Sequence, residues 1–367
     1  MTSNPASRRA ADAAVPEQLR ALRAEFPAWR IWREDACGRV RYVARSRRAD
    51  LNPHTVVTAD LGELRKALEV ARPERRFVLF PGSQLTPAGS GLEFTPSRPS
   101  MARIYDHLLG GKDNYPADRT AAHKMLRKFP EIGEIAQANR AFLARAVRYV
   151  ASRQAAQFID LGAGVPTRPN VHETARELAP DACVVYVDRD PMVLAHARAM
   201  LAVDDRIAVV AGDLGDPAAV LASPDLLSLI DFRQPVGVLA VSVLHFLPPA
   251  AADALVAAVK DRMVPGSYLV ISAGTSTGTD PQLITEVQAA YGDAAGVTGR
   301  SEAEILAWFD GLNLARPGLT DVWAWRPDNP QPPGPQPPGP PPQSRVRFLA
   351  GVARKPAPAR LHGGQFP

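Results

Sequence analysis

Five apolar runs separated by helix-like stretches constrain the fold of this chain more than any other feature. They are QFIDLGAG (157–164), VVYVDRD (184–190), RIAVVAGD (206–213), PVGVLAVSVL (235–244) and SYLVIS (267–272). A strand with one wet face alternates apolar and polar residues. These runs are almost continuously apolar, the pattern of strands buried on both faces of a parallel sheet covered by helices. The segments between them carry helix start signals: Asn170 with Glu173 three residues on, Asp190 before Pro191, and farther along Ser301 with Glu304. The expected fold class is α/β.

Two further strands are expected after the fifth run, in LTDVWAWRP (319–327) and SRVRFLAGVARK (344–355), pairing as an antiparallel hairpin. Nine prolines fall in the intervening NPQPPGPQPPGPPPQ (329–343), so polyproline II is expected there. Its PxxP spacing is that of an SH3-type ligand, but an inert, stiff loop joining two antiparallel strands is the better reading. Helices are expected around 101–109 and 133–152, before the first parallel strand. Residues 15–72 read as an α-β-β-α unit, with a hairpin turning at Ala36-Cys37-Gly38 and Asp60 capping its second helix. The expected organisation is a disordered tail (1–14), a small α+β module (15–80), a Pro/Gly/Ser-rich linker (81–100), the large domain (101–356) and a tail (357–367).

Composition excludes several classes. No apolar run reaches the roughly 18 residues that a membrane helix needs. The two cysteines, Cys37 and Cys183, have no metal-ligand spacing around them, so neither a disulfide scaffold nor a Cys-based zinc site is expected, and a reducing cytoplasm fits. The net charge of +5 is uneven, with 17 Lys and Arg against 11 Asp and Glu in residues 1–100. These basic residues are scattered among acidic ones, which reads as a solvated surface and not as a nucleic-acid-binding arm.

The chemistry is expected where the strands end, because open α/β sheets bind ligands at the carboxyl ends of their strands. Asp160, Gly162 and Gly164 end the first strand, Asp188 the second and Asp213 the third. Glycines there let a ligand lie against the backbone. An acid after the second strand can accept both hydroxyls of a ribose, and one after the third can reach the amine of an adenine. Pro166 and Thr167 replace the end of a GxGxxG loop, which argues against a cradle for pyrophosphate. A nucleoside ligand with no phosphate requirement fits these residues, and S-adenosylmethionine is the candidate. Arg103, Tyr105, Lys112 and Asn114, around the Gly110-Gly111 break, suit the carboxylate and amine of its methionine end. Arg189, Leu214 and Ser242 are expected beside the cofactor as well. The catalytic residue stays unassigned. His245, just past the fourth strand, is the candidate, although a lone histidine reads first as a packing or orienting group.

The chain also resembles a bacterial family of S-adenosylmethionine-dependent methyltransferases once catalogued as domains of unknown function. The resemblance runs from about Arg98 to Lys355. It rests on ARIYDHLLGGKDNYPADR (102–119), ANRAFLARAVRYVA (138–151), QFIDLGAGVPTRPNVHE (157–173), VVYVDRDPMVLAHARAML (184–201), VLHFL (243–247), VPGSYLVIS (264–272) and WRPD (325–328). It implies a Rossmann-like class I methyltransferase sheet, five parallel strands plus a C-terminal hairpin, with an N-terminal helical lid over the cofactor pocket. The acceptor is expected to be a small molecule, with a protein partner conceivable for the N-terminal module or the proline loop. Two other readings use the same sheet: a module that binds S-adenosylmethionine without turning it over, and a nicotinamide-dependent oxidoreductase.

Overall fold

The protein is described by a computed structural model covering residues 17–36, 39–46, 55–58, 60–70, 97–201, 204–291, 296–326 and 345–357. The expected proline loop, most of the linker and both tails lie outside the described residues.

The N-terminal unit begins with helix α1 over 17–25, followed by β1 (Trp29–Ala36) and β2 (Arg39–Ser46). These pair antiparallel with Ala36 opposite Arg39, and Cys37 and Gly38 of the expected turn lie outside the described residues. A third strand, β3 (Thr55–Thr58), stands between this hairpin and α2 (Leu61–Val70), making the order α-β-β-β-α and not α-β-β-α. The extra segment is TVVT, β-branched throughout but too short to display alternation. Asp60 caps α2 as expected, its Oδ1 accepting from the backbone of Gly62 and Glu63. Leu19, Leu22, Phe26, Trp29, Ile31, Leu64 and Leu68 form this unit's own core.

Three helices precede the large sheet: α3 (Met101–Leu108), α4 (Pro116–Lys128) and α5 (Ile132–Ala151). Helices α3 and α5 match the expectation. Helix α4 is additional to it, although Pro116 at the first helical position and Asp118 in the first turn mark its start. The alternating part then runs β4 (Gln157–Leu161), α6 (Val171–Arg176), β5 (Cys183–Asp188), α7 (Pro191–Met200), β6 (Ile207–Ala211), α8 (Pro217–Leu221), α9 (Pro224–Leu227), β7 (Gly237–Val241), a 3-10 turn (Leu244–Phe246), α10 (Pro249–Arg262) and β8 (Tyr268–Thr275). It closes with α11 (Pro281–Tyr291), α12 (Glu302–Ala307), β9 (Asn313–Leu314), β10 (Thr320–Asp321) and β11 (Arg347–Arg354). Each expected cap is present: Glu173 accepts from Asn170 N (2.8 Å), Asp190 from Met192 N (2.9 Å), and Ser301 and Glu304 bond reciprocally.

The strand order is β10-β11-β8-β7-β4-β5-β6, with β9 also on β11. Strands β4 to β8 are parallel and β11 is antiparallel to β8. Alternate residues feed the two faces of the sheet. Phe158 packs with Phe142, Ala146 and Val150 of α5, whereas Ile159 packs with Leu255, Val256 and Val259 of α10. The chain steps outward from β4 through β5 to β6, then returns to the other side of β4 as β7. A crevice therefore opens between the carboxyl ends of β4 and β7.

The expected terminal hairpin is much reduced. Among the described residues of the 319–327 segment, Thr320–Asp321 pairs with β11 and Val322 N donates to Phe348 O (3.0 Å), after which the chain turns. Arg145 of α5 explains this, because its guanidinium donates to the carbonyls of Val322 (2.7 Å) and Trp325 (3.0 Å), groups that a strand would give to its ladder. Trp325 is fully buried against Phe142 and Tyr149 instead. No described helix is long and apolar enough to cross a membrane.

Candidate functional site

A cavity of about 500 Å³ lies over the strand ends, bordered by α3 and α5 on one side and by β4, β5, β6 and β7 below. It falls within the range of roughly 300–1,000 Å³ usual for small-molecule sites. Arg103, Tyr105, Asp160, Gly162, Gly164, Asp188, Arg189, Asp213, Leu214, Ser242 and His245 all line it. Lys112 and Asn114 do not, which corrects the expectation that they meet the methionine end. Lys112 is exposed. Asn114 is 2% exposed, and its amide donates to Asp106 Oδ2 (2.8 Å) and to Gly111 O (3.1 Å). It braces the turn after α3.

The glycines at the end of β4 have separate reasons to be glycine. Both take positive φ, +72° at Gly162 and +66° at Gly164, a region costly for other residues. A Cβ on Gly162 would also stand 2.6 Å from Val243 Cγ2, so the loop after β7 closes directly on it. A Cβ on Gly164 would meet nothing within 4 Å, and Gly164 lines the cavity. That bare stretch of backbone is where a ligand can lie close.

Asp188 ends β5 with its carboxylate fixed from two directions. Gly164 N donates to Oδ2 and Asp190 N to Oδ1, each at 2.9 Å. Each carboxylate oxygen retains acceptor capacity, so two neighbouring hydroxyls can still be received. Burial pushes the pKa of Asp188 up, and the hydrogen bonds from Asp190 N and Gly164 N draw it back. Asp213, at the end of β6, is half exposed; Gly215 N donates to its Oδ1 (2.9 Å), and Arg189 Nη1 stands 3.8 Å from Oδ2.

Asp160 is 5% exposed. Burial raises its pKa to about 7, Arg140 opposes the shift, and Asp188 adds to it. A buried acid facing a cavity in this state is poised to receive a cation. Arg140 is a site residue that the sequence does not single out. It lines the cavity from α5, and its Nη2 donates to the carbonyls of Thr167 and Pro169 (2.8 Å to the latter). A cation on a helix face gives no sequence signal unless the inward face of that helix is known.

Arg103 is almost fully buried and already occupied. It donates to Asp118 Oδ2 (2.9 Å), Asp190 Oδ2 (2.9 Å) and Arg98 O (2.7 Å), tying α3 to α4 and to the start of α7. Tyr105 Oη donates to Ala136 O (3.0 Å) and accepts from Asn139 Nδ2 (3.0 Å). Ser272 Oγ donates to Asn139 Oδ1 (2.6 Å) and accepts from Ser242 N (3.0 Å). This chain of bonds fixes Ser242, which holds a φ of +58° and lines the cavity. His245 is 5% exposed, with its ring 4.1 Å from that of Phe246 and 5.3 Å from that of Phe348.

Five parallel strands with one antiparallel strand inserted at the far side, and a glycine cradle and two acids at successive strand ends, define the class I methyltransferase architecture. A family model described as S-adenosyl methyltransferase matches residues 90–356, and the chain belongs to that family. A Thermobifida fusca YX protein assigned as a methyltransferase is 40% identical, with a TM-score of 0.65 over 71% of this chain and 96% of its own. A duf574 family protein from Streptomyces avermitilis ma-4680 is 36% identical, with a TM-score of 0.65 over 71% of this chain and 99% of its own. Among curated proteins nothing matches. The protein is an S-adenosylmethionine-dependent methyltransferase.

Proposed function

We propose that the cavity holds S-adenosylmethionine across the ends of β4, β5 and β6, and that the methyl acceptor is a small molecule entering over β7. The observation that carries this reading is the open backbone at Gly164 hydrogen-bonded to the carboxylate of Asp188, both lining one cavity with Asp160 and Asp213. In this arrangement Asp188 accepts the two ribose hydroxyls. Leu214 packs against the adenine and Asp213 accepts from its amine. Asp160 takes the ammonium of the amino-acid end, and Arg140 takes its carboxylate with the donors that Thr167 and Pro169 leave over.

The cofactor supplies a methyl group carried on a sulfonium sulfur. What the chain provides is alignment. Holding reacting atoms in line supplies roughly 7–11 kcal/mol in well-oriented intramolecular reactions. The bonded path from Tyr105 through Asn139 and Ser272 to Ser242 keeps the floor rigid where the two ligands meet. A base is required only if the acceptor must lose a proton first. We place the enzyme in a reducing cytoplasm, which its two widely separated cysteines support.

Calorimetric titration with S-adenosylhomocysteine tests the assignment. Asp188→Ala is expected to weaken binding by about 10–100-fold, equivalent to roughly 1.5–3 kcal/mol for hydrogen bonds to a charged group. Unchanged affinity in a folded variant removes the ribose from Asp188.

A further inference from the structure

The cavity has two chemistries, and the sheet order separates them. Its acids and glycines come from β4, β5 and β6, whereas His245, Phe246 and Leu247 follow β7 and Phe348 lies in β11. Neighbouring strands are roughly 4.8 Å apart, so β11 stands about 24 Å from β6 across the sheet. From Val241 to Leu247 and at Phe348 the lining holds no carboxylate, lysine or arginine. The four arginines that border the cavity belong to its other half: Arg98 precedes α3, Arg103 is held by Asp118 and Asp190, Arg140 projects from α5 beside the loop after β4, and Arg189 follows β5 with Nη1 3.8 Å from Asp213 Oδ2.

One polar side chain in this far half has no partner. His245 Nδ1 is buried and makes no hydrogen bond, so a ligand in the cavity that His245 lines can meet the ring's polarity only at Nε2. The ring is clamped by Phe246 at 4.1 Å and, edge to face, by Phe348 at 5.3 Å.

We propose that the space over β7 and β11 is the acceptor subsite, and that it takes an uncharged, flat aromatic molecule whose hydroxyl or ring nitrogen bonds to His245 Nε2 while its ring packs on Phe246 and Phe348. This rests on the cofactor reading above. A charged acceptor would lose its hydration with no counter-ion here. A planar one gains the apolar and edge-to-face contacts that aromatic side chains offer. Burial holds the pKa of His245 down at about 3, so the ring stays neutral and Nε2 serves as a hydrogen-bonding group, not a charge. The proton of the methylated group therefore leaves to water, not to a lasting imidazolium.

The test uses the full chain saturated with S-adenosylhomocysteine, with 2-naphthol, 2-methylnaphthalene and 2-naphthoate as probes followed by fluorescence or calorimetry. Expected are binding of 2-naphthol about tenfold tighter than of 2-methylnaphthalene, the worth of one hydrogen bond, and still weaker binding of 2-naphthoate. His245→Phe should bring the first ratio close to one and leave the affinity for S-adenosylhomocysteine unaltered. Phe348→Ala should weaken 2-naphthol and 2-methylnaphthalene together and keep their ratio. Equal binding of those two by the parent protein, a ratio that survives His245→Phe, or tightest binding of 2-naphthoate overturns the subsite. Failure of S-adenosylhomocysteine itself to bind overturns the cofactor reading first.

Discussion

Asp160 is the residue through which pH reaches the site. Its carboxyl titrates near 3.8 in an unfolded chain and at about 7 in the fold, chiefly because it is buried. Between those values the folded state keeps a proton that the unfolded state has released. Stability of the free enzyme therefore falls as pH rises through this window and levels off above it. In the proposed arrangement the cationic amino-acid end reverses the preference, since it favours the carboxylate. Affinity for S-adenosylhomocysteine should rise with pH, by up to about tenfold per unit below pH 7, and binding should release a proton. Titrations between pH 6 and 8 in buffers of different ionisation heat measure both. Asp160→Asn is expected to flatten the dependence; an equal slope in that variant would assign the effect to another group. Asp160, Asp188 and Gly164 are legible in the sequence because a strand end is a fixed place in a parallel sheet, and a side chain's place in the sequence is there its place in space. Lys112, Asn114 and Arg140 are not. Whether a loop or helix residue turns toward a cavity depends on packing that no local pattern encodes.

At the scale of elements, the wall over the cavity hangs on Asp118. This residue is fully buried and accepts from Ser100 N (2.9 Å), Tyr115 N (2.7 Å) and Arg103 Nε (2.9 Å), joining α3, the α3–α4 turn and α4. Through Arg103 the same carboxylate is linked to Asp190 at the head of α7, next to Asp188. Removing Asp118 takes one of the two carboxylates from Arg103 and leaves the Ser100 and Tyr115 amides without their acceptor, each unsatisfied buried donor costing about 1–3 kcal/mol. Asp118→Ala should open α3 and α4 locally while the sheet stays folded. Hydrogen exchange would then show lost protection over 98–128 and retained protection in β4, β5 and β7, together with weaker binding of S-adenosylhomocysteine. Uniform loss of protection across the protein would instead make this wall part of the global folding unit. The parallel strands are legible because burial on both faces leaves an apolar run. The 319–327 segment reads as a longer strand than it is because two tryptophans in alternation mimic one. The carbonyls there are satisfied by Arg145, which lies some 180 residues away in sequence.

At the scale of the whole molecule, the family match begins at residue 90, and the two solved relatives are covered almost end to end by 71% of this chain. The unit built from α1, β1, β2, β3 and α2 lies outside the stretch that the family model matches. The unit has its own core. It touches the sheet domain where β3 lies against α7, and α7 begins at Pro191, which with Asp188 and Asp190 borders the cavity. Among the described residues the unit contributes no side chain to the cavity. A chain beginning at residue 90 is expected to bind S-adenosylhomocysteine within about threefold of the full chain, because among the described residues every one that lines the cavity lies at or beyond Arg98; a threefold change is about 0.65 kcal/mol. Its melting temperature should fall modestly as α7 loses a neighbour. A chain beginning at 117 lacks α3 and the ties that Arg103 and Tyr105 make, and its binding should be lost. Calorimetry on both, with circular dichroism to verify folding, separates the two cases. Loss of affinity already in the chain that begins at 90 would mean that the contact of β3 with α7 sets the position of Asp188, and that the added unit is part of the cofactor site.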